Sequence, residues 1–267
     1  MRSRVEGGSR SLGYNDVVCT LTWHDEPGGY QMFFNRDERR ERKPAVPPFV
    51  QRGGNTRFIA PLDGDCGGTW IAVNEFGLSV CLLNGFPAAD ETALTNRHDY
   101  TSRGHLTLTV IESSSTQRAA ATLQALDLHR FRPFVLVAFE PGDGGVLARW
   151  SGSSLELASG RPPRQPIVSS SFFTEEVRRN RLAVFRELQR EHADWSPAEL
   201  HLAFHRSHRP AAGPHSPCMH RPDASTVSFA RTQVEETDVR LHYTPGSPCR
   251  STSPEPPVRL ARRAPHQ

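Results

Sequence analysis

Short apolar runs alternating with polar residues recur along most of the chain, the signature of strands with one buried face. Val17 to Trp23 and Tyr30 to Phe34 form such a pair, joined at Glu26-Pro27-Gly28-Gly29. A charged, proline-rich loop is expected from Asn35 to Pro48. The clearest hairpin joins Thr69-Trp70-Ile71-Ala72-Val73 to Leu78-Ser79-Val80-Cys81-Leu82-Leu83 through Asn74-Glu75-Phe76-Gly77, where the glycine suits a left-handed position. Gly67-Gly68 just before it predicts a sharp approach of the backbone. Four more strand-like pieces cover Phe134 to Phe139, Val146 to Trp150, Ser154 to Leu157 and Ile167 to Ser170. A last hairpin pairs Thr226 to Val234 with Val239 to Tyr243.

Helical periodicity appears in three places. One helix follows Ser113-Ser114-Ser115 and runs from Arg118 to Leu126. A longer one spans Glu175 to Glu191 behind Thr174, with Val177, Val184, Phe185 and Leu188 on one stripe. Ser196-Pro197-Ala198-Glu199 is a capping box with proline at the first helical position, so a third starts there. Strands at both ends with helices between predict a layered α/β or α+β domain. Its expected limits are 18–249, after a disordered leader or mis-called start over 1–17 and before a disordered tail over 250–267.

Charge narrows the function classes. Lys43 is the one lysine among 32 basic residues; the rest are arginines interleaved with acids, as in Glu38-Arg39-Arg40-Glu41-Arg42. They are not clustered with aromatics, which argues against nucleic acid. No apolar run is long enough to span a bilayer, and the first residues lack the apolar segment of a secretion signal, so a cytoplasmic location is expected. The five cysteines contain no Cys-x-x-Cys pair, which points away from a zinc site or a disulfide framework. Cys218 and His220 stand one residue apart with no evident partners, so no metal is assigned to them. His201, His205 and His208 have helical spacing, but Leu202 stands where a zinc peptidase would carry glutamate; a polar helix face is expected.

The candidate chemistry starts at Cys19. A cysteine in a strand is more often core than catalyst, but this one lies near the chain start and precedes the charged block Asn35-Arg36-Asp37-Glu38. An N-terminal cysteine carries its own base, because an α-amine titrates near pH 7.7–8.0 and can take the thiol proton. That mechanism requires Cys19 to be the first residue, through initiation at Val18 followed by methionine removal or through cleavage of a leader; otherwise the chain is no cysteine enzyme.

The ordered set Cys19-Thr20, Asn35-Arg36-Asp37-Glu38 and Gly67-Gly68-Thr69-Trp70 resembles the NRDE family, which includes transport and Golgi organisation protein 2-like chains. Ser102-Arg103-Gly104, Pro133-Phe134, Cys218-Met219-His220, Thr226-Val227-Ser228 and Pro248-Cys249 extend the resemblance over roughly Val18 to Cys249. The family is similar to N-terminal nucleophile (Ntn) hydrolases of the choloylglycine hydrolase and penicillin V acylase kind, which implies a four-layer αββα sandwich. By that resemblance Cys19 is the nucleophile, Arg36 and Asp37 orient the site, and Asn84 donates to the oxyanion. Asn35, Glu38, Trp70 and Ser170 are the accompanying binding candidates, although Gly67, Gly68 and Trp70 also suit backbone and core roles. Two departures bear on hydrolysis: Arg36 and Asp37 are adjacent, so an extended backbone turns only one of them inward, and Ser169-Ser170-Ser171 stands where the hydrolases have a second oxyanion asparagine. The implied activity is cleavage or transfer of an acyl group on a linear amide, without metal or cofactor. The alternative is a binding or trafficking protein for a hydrophobic ligand such as lipid or haem, with cysteine or histidine as the haem's axial ligand.

Overall fold

A computed structural model describes residues 19–85, 99–142, 144–162, 164–169, 174–251 and 256–264. The leader expected over 1–17 and the candidate Ser170 lie outside the described residues.

Alternation builds the first sheet. β1 (Thr20–Glu26) and β2 (Gly29–Arg39) meet across a tight turn in which Gly28 takes φ 74°. β2 pairs on its other edge with β11 (Ala224–Val234), which pairs with β12 (Asp238–Pro245) and that with β13 (Val258–Ala261); β10 (Ile167–Val168) borders β1. The second sheet runs β3 (Val46–Gly53), β4 (Thr56–Leu62), β5 (Ile71–Asn74), β6 (Ser79–Asn84), β7 (Phe134–Phe139), β8 (Gly145–Trp150) and β9 (Leu155–Ser159), in that order. All pairings between these strands are antiparallel.

The sheets pack face to face. Leu21, Trp23, Tyr30, Met32 and Phe34 of the first meet Ile59, Ile71, Val73, Leu83, Val137 and Phe139 of the second in one core. The Tyr30 hydroxyl lies between them, 2.8 Å from Gly77 O and from Ser79 Oγ and 2.9 Å from Phe139 O. On the outer face of the second sheet, α1 (Gly104–Val110) and α2 (Thr116–Ala125) bury Leu106, Val110, Ala119 and Leu123 against Ala72, Leu78, Val80 and Leu82. On the outer face of the first sheet lie α3 (Thr174–Glu191) and α4 (Pro197–Arg206), whose own contact is Val184, Phe185 and Leu188 against Phe204. The layers are therefore α, β, β, α, the expected sandwich. The capping box at Ser196 and Glu199 forms as its residues predict.

Three expectations are corrected. The segment Asn35–Arg39 continues β2 instead of opening a loop, because β11 supplies backbone partners through Ala224↔Arg39. Pro47 and Pro48 sit in β3, an edge strand, at a register break between Val46 and Phe49 where neither is paired to β4, so their missing N–H groups cost no ladder bond. Beyond Cys249, Val258–Ala261 is ordered as β13 rather than tail, with Leu260 buried between the sheets and the run paired to β12.

A fourth concerns His201 and His205, which are not a solvated face. Both are buried, stack on Phe33 and share the Thr22 hydroxyl, 2.7 Å from His201 Nδ1 and 2.9 Å from His205 Nε2. Burial holds His205 well below its ordinary value and His201 down at about 3. Histidines that fold neutral and unfold basic contribute stability that is full above pH ~6.5 and is lost as pH falls towards 3. His201→Gln is expected to remove about 1–2 kcal/mol of the stability change between pH 7 and 5, read as a flatter pH dependence of the urea midpoint.

Candidate active site

At one end of the sandwich, Cys19 just before β1 and Arg36 and Glu38 near the end of β2 line a cavity of about 470 Å³. Along β2 the side chains alternate: Tyr30, Met32 and Phe34 face the second sheet, so Arg36 and Glu38 follow them towards the cavity they line. Asn35 and Asp37 face the α3/α4 layer. The adjacent arginine and aspartate of the sequence motif thus point to opposite sides of one strand. A bulge between Thr226 and Ser228 of β11 lies opposite this step, a device that re-aims side chains beside sites.

On the cavity side, the Arg36 guanidinium stacks 4.0 Å above the Trp70 ring and binds Asp63 and, at 3.4 Å, Glu38. Asp63 also accepts from Arg42 at 2.6 Å and from the backbone N–H of Cys66 at 2.8 Å. Burial pushes the Asp63 carboxyl up, but the Cys66 N–H, Arg36 and Arg42 outweigh it and hold it below its usual value. Neither Arg42 nor Asp63 was marked by the sequence; only the Asp-Gly-Asp stretch at 63–65 hints at a turn that collects donors. Trp70 is 6% exposed and its indole nitrogen has no partner among the described residues.

On the far side, Asn35 donates to His205 O at 2.9 Å and Pro217 O at 2.8 Å, tying β2 to the end of α4 and to the 216–220 segment. Asp37 accepts from Thr226 Oγ1 at 2.5 Å and from Arg181 Nη2 at 3.3 Å; Arg181 also donates to Thr20 Oγ1. Arg181, on α3, is fully buried. Burial raises the Asp37 carboxyl to about 6 even though Arg181 and Thr226 pull it down, and burial likewise lowers Arg181. Desolvation thus exceeds pairing for both partners. Arg181 lies on the stripe of Val177, Val184, Phe185 and Leu188, four residues after the first and three before the second, so helical spacing sets it apart from its exposed arginine neighbours, although no motif of the sequence singled it out.

Cys19 is buried at the head of β1 and lines the cavity. Its backbone N–H donates to Ser169 Oγ at 3.3 Å, and Ser169 N–H donates to its carbonyl at 3.1 Å. Burial, then the Asp37 charge, push the thiol up to about 12; the Asp37 N–H and Arg36 pull weakly the other way. The serine in contact is Ser169, the neighbour of the candidate Ser170. Asn84, at the end of β6, lines the same cavity, as do Tyr100, Arg103 and Arg132. Arg103 donates to Pro133 O at 2.8 Å, and burial next to Arg132 lowers it to about 10. The expected close approach at the glycine pair is present: Gly67 has φ 67°, and a Cβ on Gly68 would stand 2.7 Å from the Gly104 backbone. Cys19, Arg36, Glu38, Trp70 and Asn84 therefore share one cavity, whereas Asn35 and Asp37 support it from behind.

The family model described as Transport and Golgi organisation 2 matches residues 18–167, more than half of the chain. The chain belongs to that family. The matched span of the Transport and Golgi organisation 2 family contains Cys19, the Asn35–Glu38 block, Trp70 and Asn84. A comparison with curated proteins found no match. Among solved structures, a Caenorhabditis elegans N-acylethanolamine-hydrolyzing acid amidase ortholog aligns with a TM-score of 0.54 at 11% identity, over 80% of this chain and 91% of that one. A mutant conjugated bile acid hydrolase from Clostridium perfringens aligns with a TM-score of 0.50 at 10% identity, over 85% and 89%. At these identities the likeness establishes the Ntn-hydrolase fold for this Transport and Golgi organisation 2 family member. No described helix is long and apolar enough to cross a membrane.

Proposed function

We propose that the protein, in a form beginning at Cys19, is a cysteine amidohydrolase or acyltransferase acting on a linear amide. The observation that carries this reading is the placement of the Cys19 side chain on the cavity shared by Arg36, Trp70 and Asn84, with its nitrogen held by Ser169 where an α-amine would stand. The free amine takes the thiol proton; the thiolate attacks the acyl carbon; Asn84 donates to the oxyanion as the carbonyl opens. The amine then returns the proton to the departing amine, leaving a thioester that water or an acceptor amine resolves. Arg36, Arg42, Arg103 and Arg132 outnumber Glu38 and Asp63 around the cavity, which favours a substrate carrying an anionic group over a large neutral acyl chain.

The binding-protein reading keeps one specific support. With a peptide bond before it, Cys19 has no amine to act as base, and its thiol at about 12 stays protonated at neutral pH. Such a chain binds without turnover.

Intact mass and thiol labelling separate the two. Cys66 is exposed and lines the cavity, so the protein is labelled in a Cys66→Ser background with a thiol-directed electrophile and the modified peptide is mapped. Protein expressed from its native gene is expected to begin at Cys19 and to label there first. Retention of residues 1–18 together with an inert Cys19 would refute the enzyme reading.

A further inference from the structure

Away from the cavity, four side chains from three separate segments come together on the outer side of the first sheet. They are His208, two residues past α4; Cys218 and His220, in the segment leading to β11; and Cys249, in the 3₁₀ turn Pro248–Arg250 after β12. Their Nδ1 or Nε2 and Sγ atoms all lie within 4.8 Å of one another. Cys218 Sγ is 3.6 Å from His220 Nε2, and His220 Nε2 is 3.3 Å from Cys249 Sγ. The rings of His208 and His220 stand nearly perpendicular, 5.0 Å between centroids. The two cysteines are not joined as a disulfide.

We propose that these four residues form a tetrahedral zinc site. With Zn–S of ~2.3 Å and Zn–N of ~2.0–2.1 Å, the edges of a tetrahedron are about 3.3–3.8 Å long. The Cys218–His220 and His220–Cys249 distances already have that size, and the widest pair, within 4.8 Å, closes by at most about 1.5 Å. His208 is exposed and has the freedom to supply that movement. Two thiolates and two imidazoles are the donor set of zinc rather than of magnesium or calcium, which take oxygen. Four protein ligands leave no open position, so the site is structural and does not activate water. Binding converts both thiols to thiolates and releases two protons, leaving the zinc centre neutral overall.

The surrounding backbone is arranged to hold the ligands. Cys218 N–H donates to Ser207 O at 3.0 Å, Ser216 Oγ donates to Cys218 O at 2.7 Å, and His220 N–H donates to Gly213 O at 3.4 Å. The residues on either side of Cys218 then reach the motif strand. Pro217 O accepts from Asn35, and Met219 N–H donates to Thr226 Oγ1, the hydroxyl that donates to Asp37. Zinc would therefore fasten the α4 end, the 216–220 segment and the β12 exit into one brace behind Asn35 and Asp37.

The test uses the full chain, purified without added metal or chelator, and measures zinc by elemental analysis. Cobalt-loaded protein is then read for thiolate charge-transfer and tetrahedral d–d absorption. Stoichiometric zinc is expected in the wild type, with the cobalt spectrum lost in Cys249→Ser and weakened in His208→Ala, whose exposed site leaves the core untouched. A chelator is expected to lower Tm in the wild type and to leave Cys249→Ser unchanged. A wild-type protein that neither retains zinc nor takes it up would overturn the proposal. So would a cobalt spectrum that survives both substitutions, or an intact mass showing Cys218 and Cys249 oxidised to a disulfide in the freshly purified chain.

Discussion

Arg181→Met is expected to cost about 3–5 kcal/mol, because it leaves the Asp37 carboxylate buried against Thr226 alone. The loss carries a pH signature. In the wild type burial already places Asp37 at about 6, against an ordinary value of 3.8. A carboxyl raised in the folded state binds its proton more tightly there than in the unfolded chain. Its contribution to stability is therefore greatest at low pH and falls as pH rises through the window from 3.8 to 6. Without Arg181 the folded value climbs further and the window widens upward, so the gap between variant and wild type is larger at pH 8 than at pH 5. Urea unfolding at both pH values measures it. The double variant Arg181→Met with Asp37→Leu removes both charges and is expected to recover much of the loss, as apolar replacements of buried ion pairs do elsewhere. A double variant no more stable than the single one would mean that Arg181 acts through packing rather than charge.

Cys19→Ala is expected to lower turnover by about 10⁶-fold in a chain that begins at residue 19, the scale seen when a hydrolase loses its nucleophile. Asn84→Ala, which would remove the proposed oxyanion donor, should lower kcat by about 10²–10³-fold with little change in KM. Because nucleophile and oxyanion donor act in the same step, the double variant should be close to Cys19→Ala alone. Steady-state kinetics on an amide found by screening measures all three. Equal binding of that amide by wild type and Cys19→Ala, with no turnover by either, would place the chain with the carriers.

Much of this arrangement was legible in the residues. Gly28 and Gly77 marked their turns, Ser196 and Glu199 marked the start of α4, and alternation from Tyr30 to Phe34 fixed which face of β2 meets the second sheet. The same alternation carried forward separates Arg36 from Asp37. What local pattern could not show was anything decided by distant partners. Asn35–Arg39 looks like loop because its charges are neutralised largely by Asp63 and Arg181, which lie far along the chain. β3 hides behind two prolines, and its apolar Val46, Phe49 and Val50 are exposed rather than alternately buried. His201 and His205 read as surface until Thr22 and Phe33 are placed opposite them. The Cys218 and His220 spacing carries no signal until α4 and the turn after β12 bring in His208 and Cys249.

The alternation along β2 has a genetic meaning as well. Of the four consecutive codons 35 to 38, substitutions at 35 and 37 are expected to lower the amount of folded protein, and those at 36 and 38 to change the cavity of protein that still folds. Lesions one codon apart would thus be expected to differ in whether a chaperone or a lower growth temperature corrects them.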